Sequence, residues 1–408
     1  MATPSEYAAD LATVRAAAAR IAGHVHRTPV VTCSTLDLAS GRALFFKCEN
    51  FQKVGAFKFR GACNAVMQLD AATARHGVVT HSSGNHAQAL ALAARMRGIP
   101  AHVVMPRTSS AVKRRAVKDY GARVVECEPT LPARETTARA VLEETGGVLI
   151  PSYDHPDVIA GQGTAALELL EDAGPLDAIV APVGGGGLLS GVCVAARGLC
   201  PTVRVFGAEP AGDDDAARSK AGGRLVLQTD PRTVADGLLT SLGALTWPII
   251  RDRVERILGV DEEEIVRAMR LTWERAKLLI EPSSAVAIAA VLCREFRELE
   301  GIRRVGIVLS GGNVDLPCDP ATVAARSHGA GSERIPSTTR YSRGVCQIAR
   351  SCSKIKIWSS TPPTTWRTPR CRSTRSSLGP TPVTRLRIRS RRRQSRRRLG
   401  FRVGGARP

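Results

Sequence analysis

The sequence predicts an α/β protein built on mainly parallel sheets, because short β-rich runs alternate with helical segments from about residue 43 to residue 316. The runs predicted as strands are ALFFKCE, GVVTHS, AHVVMP, ARVVECE, GVLIPS, DAIVAPV, VRVFGAEP and RVGIVLSGG. Between them, segments such as AQALALAARMRG, ARETTARAVLEETG and GTAALELLEDAG carry apolar residues at helical spacing.

Unusual loops follow three of the predicted strands. SSGNH comes after one strand, GGGG after another and SGGN after a third. Open parallel sheets bind ligands at the carboxyl ends of their strands. We therefore expect these loops to meet at a single site.

The net charge of +21 lies in the C-terminal part of the chain. Residues 321–408 contain 20 Arg and 2 Lys against one acid, whereas residues 1–320 balance 36 basic against 36 acidic residues. Residues 318–408 are rich in Arg, Ser, Thr and Pro and lack periodicity, so they are predicted to be disordered. Two interpretations stay open: a tail that contacts nucleic acid or another acidic partner, and an unselected extension or altered reading frame.

The cysteines and the hydropathy indicate a cytoplasmic protein. The 11 cysteines form no CxxC pair, which argues against a structural zinc site and a redox pair. Scattered thiols fit a reducing compartment. No run reaches about 18 apolar residues, so no membrane partner is expected. The Ala-rich start YAADLATVRAAAARIAGHV predicts an amphipathic helix rather than a transit peptide.

Lys58 stands out in the stretch FQKVGAFKFRGACNAV, which reads as the opening of a helix starting near residue 55. At helical spacing, its face carries Gly61, Ala62 and Ala65, none of which can pair with an ammonium group. Such a lysine either extends to water or loses its charge through chemistry.

The glycine run after DAIVAPV predicts a phosphate-binding loop. Consecutive glycines let backbone N–H groups converge, and the following helix adds its positive end. A flexible turn is the alternative, and the absence of GK[ST] excludes a Walker loop. The run consists of Gly184, Gly185, Gly186 and Gly187. A phosphate loop together with a desolvated lysine points to pyridoxal phosphate, because burial lowers the pKa of a lysine and makes it a nucleophile.

Six motifs then give a resemblance: KCENFQKVGAFKFRGACNAV, HSSGNHAQALALAA, VIAGQGT, PVGGGGLLSG, EPSSAV and LSGGNVDL, in this order. Together they resemble the fold-type II pyridoxal-phosphate enzymes, in the branch of serine racemase, serine/threonine dehydratase and threo-3-hydroxyaspartate ammonia-lyase. The resemblance covers about residues 5–317. It implies a tryptophan synthase β-like fold of two open sheets, with the cofactor between two domains, and a homodimer. The large domain would be residues 1–70 and 153–317, and the small domain residues 71–152.

The resemblance also implies the cofactor contacts. Lys58 would hold pyridoxal phosphate as a Schiff base and abstract the α-proton of the substrate. Phe57 would pack on the pyridine ring, and Asn85 would bond the ring hydroxyl beside Gly237. Ser310 would meet the pyridine nitrogen, and a hydroxyl there leaves that nitrogen largely unprotonated, which suits elimination.

Substrate contacts are implied in the same way. The loop residues that would bind the substrate carboxylate are Ser82, Ser83, Gly84, Asn85 and His86. The alternative is that His86 is simply a residue at the start of a helix. Arg134 matches an arginine that faces the substrate cleft and could read a second carboxylate, favouring 3-hydroxyaspartate; a solvated helix charge is the alternative.

The acidic stretch AEPAGDDDAARS resembles the divalent-cation site of the branch. Glu209 and Asp215 would supply carboxylates and Asp213 its backbone carbonyl to Mg²⁺, or to Ca²⁺ or Mn²⁺. A solvated acidic loop is the alternative. An ATP effector site is a further implication, although Val54 replaces a polar residue of its pattern. The residues that match the effector pattern are Lys53, Gln88, Lys113, Tyr120 and Asn313.

Racemisation and elimination both begin with removal of the α-proton, but racemisation needs a second acid–base group on the opposite face. Ser83 occupies that position in the racemase pattern. Tyr153 instead matches the aromatic residue that dehydratases often carry. Ala56 replaces the serine common in the family's SFK motif, which leaves the substrate preference open. We expect an ammonia-lyase that converts L-serine, L-threonine or 3-hydroxyaspartate into a 2-keto acid and ammonia. Serine racemase is the alternative, and a cystathionine synthase-like enzyme is a further one. A nucleic-acid-binding protein with a relic enzyme body is the alternative of a different class.

Overall fold

The computed structural model describes residues 7–109 and 111–314. The predicted basic tail at 318–408 lies outside the described residues. The strands are β1 (Val30–Val31), β2 (Ala43–Cys48), β3 (Val78–His81), β4 (Ala101–Pro106), β5 (Arg123–Cys127), β6 (Val148–Leu149), β7 (Ala178–Pro182), β8 (Arg204–Pro210), β9 (Arg256–Val260) and β10 (Arg304–Leu309).

Helices connect these strands. They are α1 (Leu11–Ile21), α2 (Ser34–Ser40), α3 (Lys58–Gln68), α4 (Ala71–Ala74), α5 (Asn85–Arg97), α6 (Ala111–Asp119), α7 (Leu131–Thr145), α8 (Pro156–Ala173), α9 (Gly187–Leu199), α10 (Asp215–Gly222), α11 (Thr246–Arg253), α12 (Glu262–Leu271), α13 (Pro282–Leu292) and α14 (Arg294–Arg297). Short 3-10 turns occupy Glu49–Phe51 and Lys53–Gly55, and a π turn occupies Thr272–Ala276.

The larger sheet has the strand order β1-β2-β10-β7-β8-β9 and is parallel except for β1, which pairs antiparallel with β2. All five residues of β7 are buried, as expected for a parallel strand covered on both faces. One apolar cluster, with α12 and α13, covers one face, and a second, with α1, α8 and α9, covers the other.

A second sheet has the order β5-β4-β3-β6, and its strands are all parallel. Helix α5 packs over one face and α7 over the other. The α/β prediction with two mainly parallel sheets is therefore confirmed. The domain boundaries stay a prediction, although the second sheet falls inside the predicted small domain, 71–152.

Each of the eight runs predicted as strands contains a strand, but two strands were missed. Strand β1 is only two residues long, and β9 has the sequence RILGV, whose charge and glycine hide the pattern. The Ala-rich start does form a helix, α1, which Asp10 caps through the backbone N–H of Thr13. None of the helices in the described ranges is long and apolar enough to cross a membrane.

The predicted helix start near residue 55 is wrong, because α3 begins at Lys58. Val54 and Gly55 adopt positive φ angles of 56° and 69°, and Ala56 is extended and pairs with Gly311. Backbone in these conformations cannot continue a right-handed helix.

A buried ion network fixes α3. Arg60 is fully buried, and its Nε donates to Glu49 Oε2 at 2.7 Å while its Nη1 donates to Glu168 Oε1 at 2.7 Å. Lys47 Nζ contacts the other oxygen of Glu168 at 2.6 Å. The charges are paired and hydrogen-bonded, which is what burial of ions requires. The network ties the helix bearing Lys58 to β2 and α8.

Candidate active site

The two residues before Lys58 contact the chain at the end of β10. Ala56 bridges Gly311, and the backbone N–H of Phe57 donates to the carbonyl of Ser310 at 3.0 Å. Lys58 Nζ donates to the carbonyl of Ser152 at 2.9 Å and lies 5.1 Å from the centre of the Phe57 ring. Burial lowers the pKa of Lys58 to about 8. Near neutral pH the side chain therefore has an appreciable uncharged fraction, which is the nucleophilic form.

Loop 184–187, the glycine loop, connects β7 to α9 and has no space for side chains. A Cβ on Gly184 would lie 2.7 Å from the carbonyl oxygen of Leu238, and Gly186 has a φ of +87°. The ring of Tyr153 packs on Gly185, and a Cβ added to Gly187 would lie 2.9 Å from the Cβ of Tyr153. The first backbone hydrogen bond of α9 runs from Ser190 N–H to Gly186 O, so the N–H groups of the first turn have no partner within the helix. These features fit a phosphate group.

Glu281 joins the site, although sequence reasoning missed it. Asn85 Nδ2 donates to both carboxylate oxygens of Glu281, at 3.0 and 3.1 Å, and the backbone N–H of Asn313 donates to Oε2 at 3.2 Å. Burial raises the pKa of Glu281 to about 7. The signal in the sequence was an acid directly before the buried apolar helix PSSAVAIAAVL, in a motif that was used only for the resemblance.

The structure also brings Gly237 and Ser310 to this end of the larger sheet. Gly237 N–H donates to Ser283 Oγ at 2.9 Å, and a Cβ on Gly237 would lie 4.0 Å from Glu281 Oε1. Ser310 directly follows β10 and is 2% exposed. The residues predicted around the pyridine ring thus surround one region next to Lys58.

The SSGNH loop connects β3 to α5. Its backbone N–H at Ser82 donates to Val104 O, and Gly84 N–H lies 3.3 Å from Ser82 Oγ. Ser82, Ser83 and Gly84 are partly exposed, whereas His86 is 1% exposed. Ser83, which precedes Asn85 by two residues, is therefore accessible.

His86 is anchored to the protein. Its Nε2 lies 3.0 Å from the carbonyl oxygen of Ile150, and because a carbonyl only accepts, Nε2 carries the proton. Nδ1 is buried with no hydrogen-bond partner in the described part of the chain. Burial, reinforced by the charge of Lys58, lowers the pKa of His86 to about 3, so the ring is neutral.

Arg134 lies in α7, close to the SSGNH loop. Burial lowers the pKa of His81, which immediately precedes Ser82, and the charge of Arg134 lowers it further. The Nε of Arg134 is buried and has no partner among residues 7–109 and 111–314. The guanidinium group therefore has an unused N–H donor close to the SSGNH loop.

Three acids of the predicted cation site are buried together. Burial raises the pKa of Glu209 to about 8 and that of Asp215 to about 6, and it also raises the pKa of Asp213. Glu209 accepts two backbone N–H groups, from Ala216 and Ala217, at 2.9 Å each. Asp213 Oδ1 has no partner in the described residues. Among the described residues, no group of three or more His, Cys, Asp or Glu side chains is arranged so that it could hold a metal ion.

The residues of the predicted effector pattern are only partly grouped. Asn313 Nδ2 donates to Val54 O at 2.7 Å, next to Lys53, and to Asn85 Oδ1 at 2.9 Å. Lys113 Nζ instead contacts Asp236 Oδ2 at 2.9 Å, beside Gly237. Tyr120 packs against the core around α5, the helix that carries Gln88.

The comparisons with known proteins define the class. Residues 21–311 match the family described as pyridoxal-phosphate dependent enzyme, and the chain belongs to that family. The chain is therefore a pyridoxal-phosphate enzyme of the serine/threonine dehydratase and serine racemase type.

Two relatives make the branch specific. The chain is 52% identical over 314 residues to a serine racemase from Arabidopsis thaliana, covering 76% of this chain and 95% of that protein. It is 50% identical over 301 residues to a beta-hydroxyaspartate dehydratase from Paracoccus denitrificans, covering 74% and 95%.

Two solved structures agree. A maize serine racemase superimposes with a TM-score of 0.77 at 47% identity, covering 79% of this chain and 98% of that one. A T.th. threonine deaminase has a TM-score of 0.72 at 45% identity, covering 76% and 100%. The predicted fold-type II resemblance and the pyridoxal phosphate cofactor are confirmed.

Proposed function

We propose that this protein is an ammonia-lyase that removes the β-hydroxyl and the amino group of a small hydroxy amino acid, giving a 2-keto acid and ammonia. The observation that carries the proposal is the position of Lys58. Its amine has a pKa lowered to about 8, interacts with the charge of Glu281 and donates to the carbonyl of Ser152, next to the Tyr153 ring that packs on the glycine loop.

The residues present fit the cofactor. When bound, pyridoxal phosphate supplies an electron-withdrawing ring and carbonyl carbon that acidify the substrate's α-C–H bond. Lys58 would hold the carbonyl carbon, and the glycine loop would hold the phosphate through its N–H groups. Ser310 would meet the ring nitrogen, and Phe57 would pack on the ring. Asn85 would bond the ring hydroxyl, with Gly237 nearby.

Lys58 also moves the proton. The substrate's amino group first replaces Lys58 at the carbonyl carbon, which frees the neutral lysine amine to accept the α-proton. The Cβ–O bond then breaks, and the hydroxyl takes up one proton, equivalent to the one removed from Cα, and leaves as water. Hydrolysis of the released enamine yields the keto acid and ammonia, which balances the reaction. A lysine with a pKa near 8 suits this role, because it is neutral often enough to accept the proton and basic enough to hold it.

The substrate carboxylate binds at the start of α5. The N-terminus of a helix offers unpaired N–H groups and a positive partial charge, and the hydroxyls of Ser82 and Ser83 precede it. His86 is neutral, so it adds no positive charge here, and its contact with the carbonyl of Ile150 holds the ring in place. Arg134, whose buried Nε has no partner in the described residues, would bind a second carboxylate, which would favour 3-hydroxyaspartate among the substrates.

Serine racemisation is the second candidate, and Ser83 favours it. Its hydroxyl lies on the accessible part of the SSGNH loop, where it can return a proton to the face opposite Lys58. The serine racemase from Arabidopsis thaliana at 52% identity supports keeping this activity beside elimination.

We also propose that Mg²⁺ occupies the acidic site. Glu209 and Asp215 would supply carboxylates and Asp213 its backbone carbonyl, with waters completing the oxygen shell. Burial raises the pKa values of Glu209 and Asp215, and a bound cation would lower them and keep both carboxylates ionised. The homodimer, the ATP effector and the cytoplasmic location stay predictions of the resemblance and of composition.

The test uses the full chain with added pyridoxal phosphate. We expect a visible absorption band from the lysine-bound cofactor, and keto acid from L-serine, L-threonine or threo-3-hydroxyaspartate, with D-product measured in parallel. Lys58→Ala should lose the band and the activity. The control Lys118→Ala removes an exposed lysine of α6 and should keep both. A band that persists in Lys58→Ala would contradict the proposal.

A further inference from the structure

A single hydroxyl anchors the glycine loop from its buried side. Thr246 is fully buried, and its Oγ1 lies 2.9 Å from the carbonyl oxygen of Gly185 and 3.2 Å from that of Gly243. The hydroxyl has one proton, and the shorter distance assigns it to Gly185. Thr246 Oγ1 also accepts from Gly243 N–H at 2.9 Å. Thr246 lies on α11, remote in sequence from the loop, so this contact exists only in the folded chain.

The contact sets the direction of an N–H group. In a trans peptide the C=O and the following N–H point in opposite directions. When Gly185 C=O points to Thr246, the N–H of Gly186 therefore points away from Thr246. Gly185 and Gly186 both lack a Cβ, so the peptide between them can adopt several orientations unless a contact holds it, and here Gly186 has a φ of +87°.

Asp154 in turn holds Thr246. Its Oδ1 accepts from Leu245 N–H at 2.8 Å and from Thr246 N–H at 3.3 Å, and its Oδ2 accepts from Ala244 N–H at 3.1 Å. A carboxylate that accepts the N–H groups at the start of a helix is stabilised by charge and dipole. Gly243 leaves space for it, since a Cβ there would overlap the Asp154 carboxylate.

Residues 152–154 contact both the Lys58 amine and the glycine loop with its support. The carbonyl of Ser152 accepts from Lys58 Nζ, the Tyr153 ring packs on Gly185, and Asp154 anchors Thr246. Three consecutive residues thus connect the amine and the glycine loop, which sets the spacing between them.

We propose that Thr246 and Asp154 are positioning residues for the phosphate group of the cofactor: they lock the Gly185–Gly186 peptide in the orientation that presents its N–H to phosphate. The inference rests on the proposed role of the glycine loop. It goes further by assigning a phosphate-specific effect to two residues that do not themselves touch the cofactor.

The experiment compares pyridoxal phosphate with pyridoxal, which lacks the phosphate. Dissociation constants for both are measured on the full chain from the absorption of the lysine-bound form. Thr246→Val removes the hydroxyl at nearly constant shape, and we expect it to weaken pyridoxal phosphate binding by about tenfold while leaving pyridoxal binding unchanged. Thr246→Ser should restore the wild-type preference for the phosphate form.

Two further variants sharpen the comparison. Thr272→Val removes another buried threonine hydroxyl, one that donates to Ala268 O at 2.7 Å inside a helix, and should leave the ratio of the two constants unchanged. Asp154→Asn should lower the phosphate preference. If Thr246→Val does not fold, the serine and asparagine variants still decide the matter, because the first should match wild type and the second should not.

The outcomes separate the inference from the proposed function. Equal weakening of pyridoxal and pyridoxal phosphate in Thr246→Val and Asp154→Asn would overturn the inference, since that is a general structural effect. A wild-type protein that binds both forms equally would instead overturn the phosphate role of the glycine loop, and the inference with it.

Discussion

Asn85 and Glu281 connect the two sheets of the protein: the Asn85 amide at the start of α5 lies 3.0 and 3.1 Å from the two carboxylate oxygens that precede α13. Each residue is held at an element terminus, and Asn313 contacts both. The Glu281 carboxylate is also close enough to Lys58 to raise its pKa, against the larger effect of burial.

The pH dependence of cofactor attachment should follow Lys58. Burial lowers the pKa of this lysine to about 8, so the neutral amine that attacks the cofactor accumulates as pH rises through 8. We expect the rate of appearance of the visible band to rise from about pH 6 through the pKa near 8 and then level off. Stopped-flow absorption at each pH measures it. A rise centred near the ordinary lysine value of 10.5 would contradict the burial effect.

Glu281→Gln should move that profile to lower pH. The glutamine keeps an acceptor for Asn85 but removes the negative charge that favours the ammonium form of Lys58. We expect the midpoint to fall by a few tenths of a unit to about one unit. Glu295→Gln, at an exposed position on α14, is the control and should leave the midpoint in place. An unshifted midpoint in Glu281→Gln would show that the two groups are not coupled.

Arg134→Ala should change substrate preference. Loss of a charged hydrogen bond costs about 1.5–3 kcal/mol, so kcat/KM for 3-hydroxyaspartate should drop about 10- to 100-fold. The same constant for L-serine, which has one carboxylate, should change little. Arg139→Ala, an exposed arginine on the same helix, controls for loss of charge. Equal losses on both substrates would rule out recognition of a second carboxylate.

Ser83→Ala should separate the two reactions. Racemisation needs a proton donor on the face opposite Lys58, whereas elimination does not. We therefore expect formation of D-serine to fall by about 100-fold, in the range of acid–base contributions, with much of the keto acid production retained. Chiral chromatography and a keto acid assay measure the two products. Ser82→Ala is the neighbouring control, and a parallel loss of both products in Ser83→Ala would refute the second-base role.

Divalent cations should stabilise the fold through the acidic site. Mg²⁺ at millimolar concentration should raise the temperature of unfolding, and a chelator should lower it, because binding to the folded state adds to stability. Glu209→Gln or Asp215→Asn should remove the effect. Asp214→Asn is the matched control, since Asp214 pairs with Arg218 on the surface. A melting temperature indifferent to both Mg²⁺ and chelator would exclude a cation at Glu209 and Asp215.

The sequence by itself determined the layers of the fold and the chemical groups of the site. Parallel strands buried on both faces, such as β7, are continuous apolar runs that local pattern reveals, and the glycine loop and Lys58 stand out because their residue types conflict with their surroundings. The tertiary structure decided the rest. Glu281 and Thr246 reach the site through contacts with residues far away in the chain, and the start of α3 depends on the pairing of Ala56 with Gly311. Local propensity carries no information about such partners, because the free energy of a long-range contact exists only once the sheets have assembled.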